Sequence, residues 1–432
     1  MWRVLSGGID LDDRYAAVAR GADGSLFTLG VVNSDYGVLP GQLVLVKCNA
    51  AGDQVWQRAW AVPGAKGITP LAVAVDAAGN AAAVATVWDG TDRDILVTKW
   101  SAAGVQQWTA VKSSADPSLN DEAADVVTDA AGNVYVCGAV GSGGSAVVVK
   151  YDDDADPAHP LVGLERWTHY TTGTHAIASA RAHSIAGDGS GGLYVTGSRL
   201  MATGDDNVYV QKLTTGGTSK WLRGWDGAAH EYDSGDVVRY RAGFVYVGGE
   251  TETSAHSNDV VVLRYAAGTG ARTWARTWDN PVTHDSDEIS DLQVDGHGNA
   301  YVTGTSFYFT TVKYKALLLK IGRSGTVRWV RTYYDKASDG YGSYWSLAVS
   351  SPGTVWTVGF VRTATVPMWV AARYGENGKR AWLTRWDGPP PGHFGGRGAD
   401  ACVFSGTRDL FVAGATLAAD AHTNAGLAWL RR

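Results

Sequence analysis

Short apolar or alternating runs, four to a group, recur along this chain at a nearly constant interval. From residue 123 the segments AADVVTD, NVYVCG, SAVVVKY and ERWTHY follow one another, separated by turn residues such as Asp-Ala-Ala-Gly-Asn at 129–133. Val, Tyr and Trp dominate these runs. No stretch sustains apolar positions at i, i+3, i+4 and i+7, so the pattern predicts strands and almost no helix. An aromatic residue followed three positions later by glycine marks one strand of each group: Phe27/Gly30, Tyr135/Gly138, Tyr194/Gly197, Tyr246/Gly249, Tyr301/Gly304, Trp356/Gly359 and Phe411/Gly414. Ala83 and Thr86 stand in for the pair in the remaining group, and successive markers lie 56, 52, 59, 52, 55, 55 and 55 residues apart. A second marker, a Trp opening the last strand of a group, falls at Trp2, Trp56, Trp108, Trp167, Trp221, Trp274, Trp329 and Trp382. Both markers give one period and a count of eight.

Four short antiparallel strands repeated radially predict an all-β, eight-bladed β-propeller, which hides its sheet edges by closing a ring. One domain over 1–432 is expected, with blades at about 12–61, 68–113, 121–171, 180–227, 232–280, 287–335, 342–388, and 397–432 plus 1–6. The chain starts on a fourth-strand Trp, in Met1-Trp2-Arg3-Val4, and ends in a third-strand run, Leu427–Arg432. The N-terminal strand is therefore expected to join the last blade, Met1–Leu5 pairing with Leu427–Arg432.

Units reading DAAGNVYVCG, then a hydrophobic run ending in Lys, then Gly-x-x-x-Trp resemble the bacterial propeller repeats labelled SBBP. They are also similar to the Trp-bearing repeats of quinoprotein dehydrogenases and of an outer-membrane assembly scaffold, both eight-bladed. The resemblance spans the whole chain. It implies the fold, and an extracellular or cell-surface bacterial protein, without naming an activity. Quinoprotein enzymes are longer, with catalytic insertions and often an adjacent-Cys disulfide; here Cys48, Cys137 and Cys402 are scattered and the blades are lean.

Composition narrows the classes. With 45% hydrophobic and 19% charged residues the chain can bury a large core. A formal charge of −6 with mixed signs argues against nucleic acid. No apolar run approaches the roughly 18 residues of a spanning helix. No signal peptide is visible and the chain starts directly in the expected closing strand, so a trimmed leader or neighbouring domain is an expectation, and the localisation rests on the resemblance alone. Neither a Cys/His zinc spacing nor a Gly-x-Ser-x-Gly strand-to-helix elbow is present. Gly141-Ser142-Gly143-Gly144 reads as a loop, since no helix follows to hold a phosphate.

A basic residue ends each third strand: Lys47, Lys99, Lys150, Lys212, Arg264, Lys320, Arg373 and Arg431. In most groups it precedes the Trp by nine positions, which places the two opposite each other across a tight hairpin. The expectation is a cation lying over the indole of its own hairpin, as a packing device between blades. The glycine after each aromatic is expected to serve a close backbone approach or a bulge.

Candidate chemistry concentrates on the face of the blade-connecting loops. Asp12-Asp13, Asp121-Glu122, Tyr232-Asp233 and Asp287-Glu288 precede innermost strands, with Asp125, Asp236 and Asp291 further in and Ser184 and Ser346 at matching places. His175, His183, His230, His284 and His393 gather there, and Arg181, Arg397, Tyr15, Tyr344 and Trp345 complete the mouth of the channel. Carboxylates and imidazoles so placed can bind a divalent cation, calcium where oxygens dominate, or act as general acid and base on a sugar or peptide. The competing structural reading is that Asp and Ser before strands bond backbone amides. On the other face Asp152–Glu165 lengthens the third hairpin, and Asp152, Asp154 and Asp156 alternate as calcium-loop ligands do, although Pro157 stands where such a loop wants glycine. Trp386–Gly398, with three consecutive prolines, reads as a rigid connector or a partner contact.

These observations favour a monomeric, non-catalytic module binding a protein or glycan ligand through Asp13, Asp121, Glu122, His183, Asp233, Asp236, His284, Asp287, Glu288, Asp291 and Arg397. No cofactor is assigned beyond calcium. The alternative is a polysaccharide lyase or hydrolase using the His/Asp/Arg/Tyr mouth; a quinone-dependent oxidoreductase is the remoter one.

Overall fold

The computed structural model describes residues 2–3, 12–35, 39–116, 118–141, 144–156, 159–171, 177–253, 257–309, 313–334, 340–350, 353–362, 367–386, 396–405, 409–417 and 423–430. Among them every regular element is a strand, and none is an α-helix. The first, β1, is Trp2–Arg3. Unit one is β2 (Asp12–Arg20), β3 (Leu26–Asp35), β4 (Leu39–Cys48) and β5 (Gln54–Trp60); unit two is β6 (Gly67–Val75), β7 (Ala81–Trp88), β8 (Arg93–Trp100) and β9 (Gln106–Lys112). Unit three is β10 (Glu122–Thr128), β11 (Val134–Val140), β12 (Ser145–Asp156) and β13 (His159–Thr171); unit four is β14 (Ile177–Gly187), β15 (Gly192–Met201), β16 (Asp206–Thr214) and β17 (Ser219–Trp225). Unit five is β18 (Asp233–Arg241), β19 (Phe244–Glu252), β20 (Asn258–Ala266) and β21 (Arg272–Trp278); unit six is β22 (Asp287–Val294), β23 (Ala300–Tyr308), β24 (Lys313–Ile321) and β25 (Val327–Tyr333). Unit seven is β26 (Gly342–Val349), β27 (Val355–Arg362), β28 (Pro367–Tyr374) and β29 (Arg380–Trp386), and β30 (Gly396–Ser405), β31 (Asp409–Leu417) and β32 (Thr423–Leu430) follow.

Each unit is an antiparallel meander, and the last takes β1 as its outer strand in the order β1-β32-β31-β30. Trp2 pairs with Ala428 and Arg3 with Leu427. Units two and three are not separate sheets. The elongated β12–β13 hairpin reaches back to the edge of β9 through one parallel pairing, Val162 with Thr109, and so makes an eight-stranded sheet where two four-stranded ones are expected.

The arrangement is propeller-like. First strands neighbour one another in sequence from β2 to β30, and β30 also packs against β2. The core is divided accordingly. One cluster joins Phe27, Leu45 and Trp56 of unit one to Ala83, Leu96 and Trp100 of unit two. Another joins Val44, Val46 and Cys48 of unit one to Phe411 and Ala413 of β31. Sandwiching between neighbours explains why β11 is buried at every position, whereas outer β5 buries only Trp56.

The expected register holds across the hairpins, with Lys47 opposite Trp56, Lys212 opposite Trp221 and Lys320 opposite Trp329. The predicted cation–indole contact is replaced by another. Lys47 lies over Phe27, Lys150 over Tyr135, Lys212 over Tyr194 and Lys320 over Tyr301, at 5.1, 5.7, 5.1 and 5.0 Å from the ring centroids. The indole is turned away because its N–H is drawn to the next unit. Trp56 Nε1 donates to Ala102 O at 3.1 Å, and Lys47 Nζ to the same oxygen at 3.0 Å.

The glycine after each aromatic meets both expectations. A Cβ on Gly249 would stand 1.8 Å from Ser234 O, and the register of β18 against β19 shifts between Gly235 and Val237, leaving Asp236 as the bulged residue. Unit four has the same shift between Ala182 and Ser184, which bulges His183.

Candidate functional site

The acids that open the first strands are pinned to the connectors leading into them. Asp121 accepts from the amides of Ser114 and of Gly141, the latter at 2.7 Å. Asp233 Oδ2 accepts from Gly227 N at 2.6 Å, and Asp287 Oδ2 from Asn280 N at 2.7 Å. Asp13, Asp121 and Asp287 are fully buried, and Asp233 nearly so. Burial, set against these donors, raises Asp121, takes Asp233 to about 6 and Asp287 to about 7.

Deeper in, two acids latch one unit to the next. Asp125 Oδ2 accepts from Ser184 Oγ at 3.0 Å and Ile185 N at 3.1 Å. Asp291 Oδ2 accepts from Ser346 Oγ at 3.3 Å and Leu347 N at 3.1 Å, while Arg239 Nη2 donates to its Oδ1 at 3.0 Å. The Ser positions flagged beside these acids are thus their partners across the unit boundary.

One group at the mouth is arranged differently. The bulges of β14 and β18 bring His183 Nδ1 to 3.3 Å from Asp236 Oδ1, with Ser234 Oγ donating to the same carboxylate oxygen at 2.6 Å. Glu122 is held between Arg181 at 2.9 Å and Arg93 at 3.3 Å. Tyr232 is partly exposed beside them, its phenol pushed up by burial. Glu250, in β19, escaped the sequence reading. Burial first, then the charges of Asp236 and Glu288, push it up to about 8, so it holds its proton at neutral pH. Its signal in sequence is an acid directly after Gly248-Gly249, where the equivalent positions of the neighbouring units carry Ser198 and Thr305. Glu288 is raised by burial.

Other expected members fall elsewhere. Tyr15 and Tyr344 are core residues at 1% and 0% exposure, since the strand alternation turns them between units. His230 and His284 are exposed and pair with the nearby Asp226 and Asp279. His175 and His393 lie outside the described residues, as does the side chain of Arg397 in β30. Of the calcium-loop candidates, Asp152 pairs with Arg166 and Asp154 is exposed in the strand continuing β12; the side chain of Asp156 lies outside the described ones.

Cavities open on the tight-turn face. One of about 570 Å³ is lined by Arg20, Val75, Asp76, Gln293 and Val349, at the C-terminal ends of β2, β6, β22 and β26. Strands from opposite sides of the molecule converge there, and turns as short as Asp76–Asn80 leave the axis uncovered. A second, of about 710 Å³, is lined by Asn299, Lys320, Arg328, Trp329, Glu376 and Asn377.

No protein-family model and no curated protein matches the chain. Among solved structures, a europium-containing methanol dehydrogenase superposes with a TM-score of 0.57 at 11% identity, covering 98% of this chain and 85% of its own. The polysaccharide lyase Uly1 gives 0.49 at 11% identity, covering 97% and 90%. An ulvan lyase of family PL25 gives 0.48 at 9% identity, covering 82% and 89%. At 11% identity the first of these carries the propeller-like fold alone.

Proposed function

We propose that the chain is a single eight-bladed propeller of the SBBP-like kind, closed by β1 on β32, whose connector face binds a protein or glycan outside the cell without catalysis. The observation carrying this reading is the employment of the buried acids. Asp121, Asp125, Asp233, Asp287 and Asp291 all accept hydrogen bonds from backbone amides, so they build the scaffold rather than exchange protons with a substrate. What remains for recognition is the polar rim of His183, Tyr232, Asp236, Glu122 and Arg181. Binding of the full chain to immobilised neutral and acidic polysaccharides tests it, with His183→Ala/Asp236→Ala as comparison. Retention that the variant loses, without product formation by either protein, is the expected outcome.

A second reading rests on one specific grouping. His183 beside Asp236, with Tyr232 and Arg181 near and a protonated Glu250 behind, offers base, acid and charge stabilisation to an acidic polysaccharide. Accumulation of unsaturated or reducing-end product with the wild type, abolished in the variant, would replace the binding module with a lyase or hydrolase.

A further inference from the structure

Beside the His183–Asp236 group, the connector face holds three aspartates that meet where units five and six join. Asp259 lies in β20, Asp279 directly follows β21, and Asp287 opens β22. One carboxylate oxygen from each lies within 4.8 Å of those of the other two. Asp259 is 3% exposed and Asp287 0%, with Asp279 half-buried. Asp287 Oδ2 is engaged by Asn280 N and Asp279 Oδ2 by His284 Nδ1. The Oδ1 atoms of Asp259, Asp279 and Asp287, in contrast, are all buried without a hydrogen-bond partner.

Ionised carboxylates are costly to bury without donors, and three at this separation also repel one another. Protons or a cation must neutralise them. Three oxygens that all lie within 4.8 Å of one another can share one ion with only a small inward adjustment, at the calcium–oxygen distance of about 2.3–2.6 Å. An all-oxygen set selects hard divalent ions over zinc or copper. His284 presents its ring to the outer oxygen of Asp279 from a left-handed backbone, φ 54°, and so fixes which oxygen faces inward.

The preceding junction repeats the arrangement with one ligand changed. Val208 pairs with Trp225 as Val260 pairs with Trp278, so Asn207, Asp226 and Asp233 match Asp259, Asp279 and Asp287. His230, at φ 55°, sits 2.7 Å from Asp226 as His284 sits on Asp279. Asn207 Oδ1 and Asp233 Oδ1 are again buried and without partner. An amide in place of a carboxylate removes one charge, which weakens that copy.

We propose that Asp259, Asp279 and Asp287 form a calcium-type divalent-cation site that staples units five and six together. The site stands whether or not the connector face binds a ligand.

Calorimetric titration of calcium chloride into the EDTA-treated full chain tests it, with terbium luminescence excited through Trp278, the neighbour of Asp279, as a local readout. Expected are saturable binding, a rise in melting temperature with calcium, and weakening by about tenfold or more in Asp259→Asn. Should that buried substitution unfold the chain, Asp279→Asn at the half-buried member supplies the same comparison. Asp152→Asn/Asp154→Asn leaves affinity unchanged. Absence of calcium, magnesium or manganese binding at millimolar metal overturns the proposal. So does binding that both triad variants retain in full, or that the Asp152→Asn/Asp154→Asn protein loses.

Discussion

The indole N–H of Trp221 donates to the carbonyl oxygen of Ala267 at 3.1 Å, and so ties the fourth strand of unit four to the turn after the third strand of unit five. Lys212 Nζ reaches the same oxygen at 3.3 Å, and Arg223 Nε takes Gly270 O at 3.0 Å. Trp167 with Thr215 O, Trp274 with Arg323 O and Trp329 with Glu376 O repeat the contact at 3.1, 3.0 and 2.9 Å. The repeated Trp is therefore a clasp between units.

Cutting one clasp measures its worth. Trp221→Phe keeps much of the packing and loses the donor, at an expected cost of about 1–3 kcal/mol. Gly270→Ala should cost at least as much, because φ is +69° and the new methyl meets the Trp221 ring at 2.7 Å. Urea unfolding of both variants checks the order.

Lys99 is the clasp cation that has become fully buried. Its ammonium donates to Gly132 O at 2.6 Å, pairs with Asp153 and lies 3.5 Å from Asp76. Lys99→Met removes the cation beside buried Asp76, which keeps its donors from Ala78 and Asn80, and beside the more exposed Asp153. It should cost up to about 3 kcal/mol, the low end for breaking a buried pair. Adding Asp153→Asn should recover part of that loss in a double-mutant cycle by denaturant unfolding.

The all-strand content, the strand order within a unit and the Lys–Trp register were legible because each depends on positions within a unit or one hairpin, where spacing along the chain equals spacing in space. The destination of Lys47 and Trp56 was not, since Ala102 belongs to the following unit and no interval in the sequence points to it. The same holds for the site. Asp121 and Asp287 stood out by their place before a strand, whereas Glu250 and Asp259 come from second and third strands and are gathered only by packing. The bridge from Val162 to Thr109 depends on how far one long hairpin overshoots its own sheet.

Glu250 gives a pH signature. Its folded value of about 8 exceeds the ordinary 4.5, so the folded state holds the proton more tightly than the unfolded one. That contribution is complete below the unfolded value and is lost as pH rises through about 8. Wild-type stability should therefore fall across this window relative to Glu250→Gln, which stays neutral. Unfolding midpoints at pH 5, 7 and 9 decide it; parallel curves for the two proteins would refute it.

Gly249→Ala tests the bulge that carries Asp236. The added carbon would stand 1.8 Å from Ser234 O, so the first strand must move and Asp236 parts from His183. A loss of about 1–3 kcal/mol is expected. Gly187→Ala, which meets nothing within 4 Å, is the control and should be close to neutral.

The pairing of Trp2 with Ala428 sets the order of assembly. The other outer strands follow their partners directly along the chain and arrive at high local concentration. β1 must return from the far end of the chain, a closure costing roughly 4 kcal/mol more in chain entropy than a tight turn, at about 0.6 kcal/mol per doubling of loop length. Stacking of the intervening units has to supply that proximity first, so this strand docks last. Until it does, β32 presents an open edge, and the first strand of a second molecule fits that edge equally well. Crowded refolding therefore favours strand-exchanged chains, and dilution favours the self-closed ring.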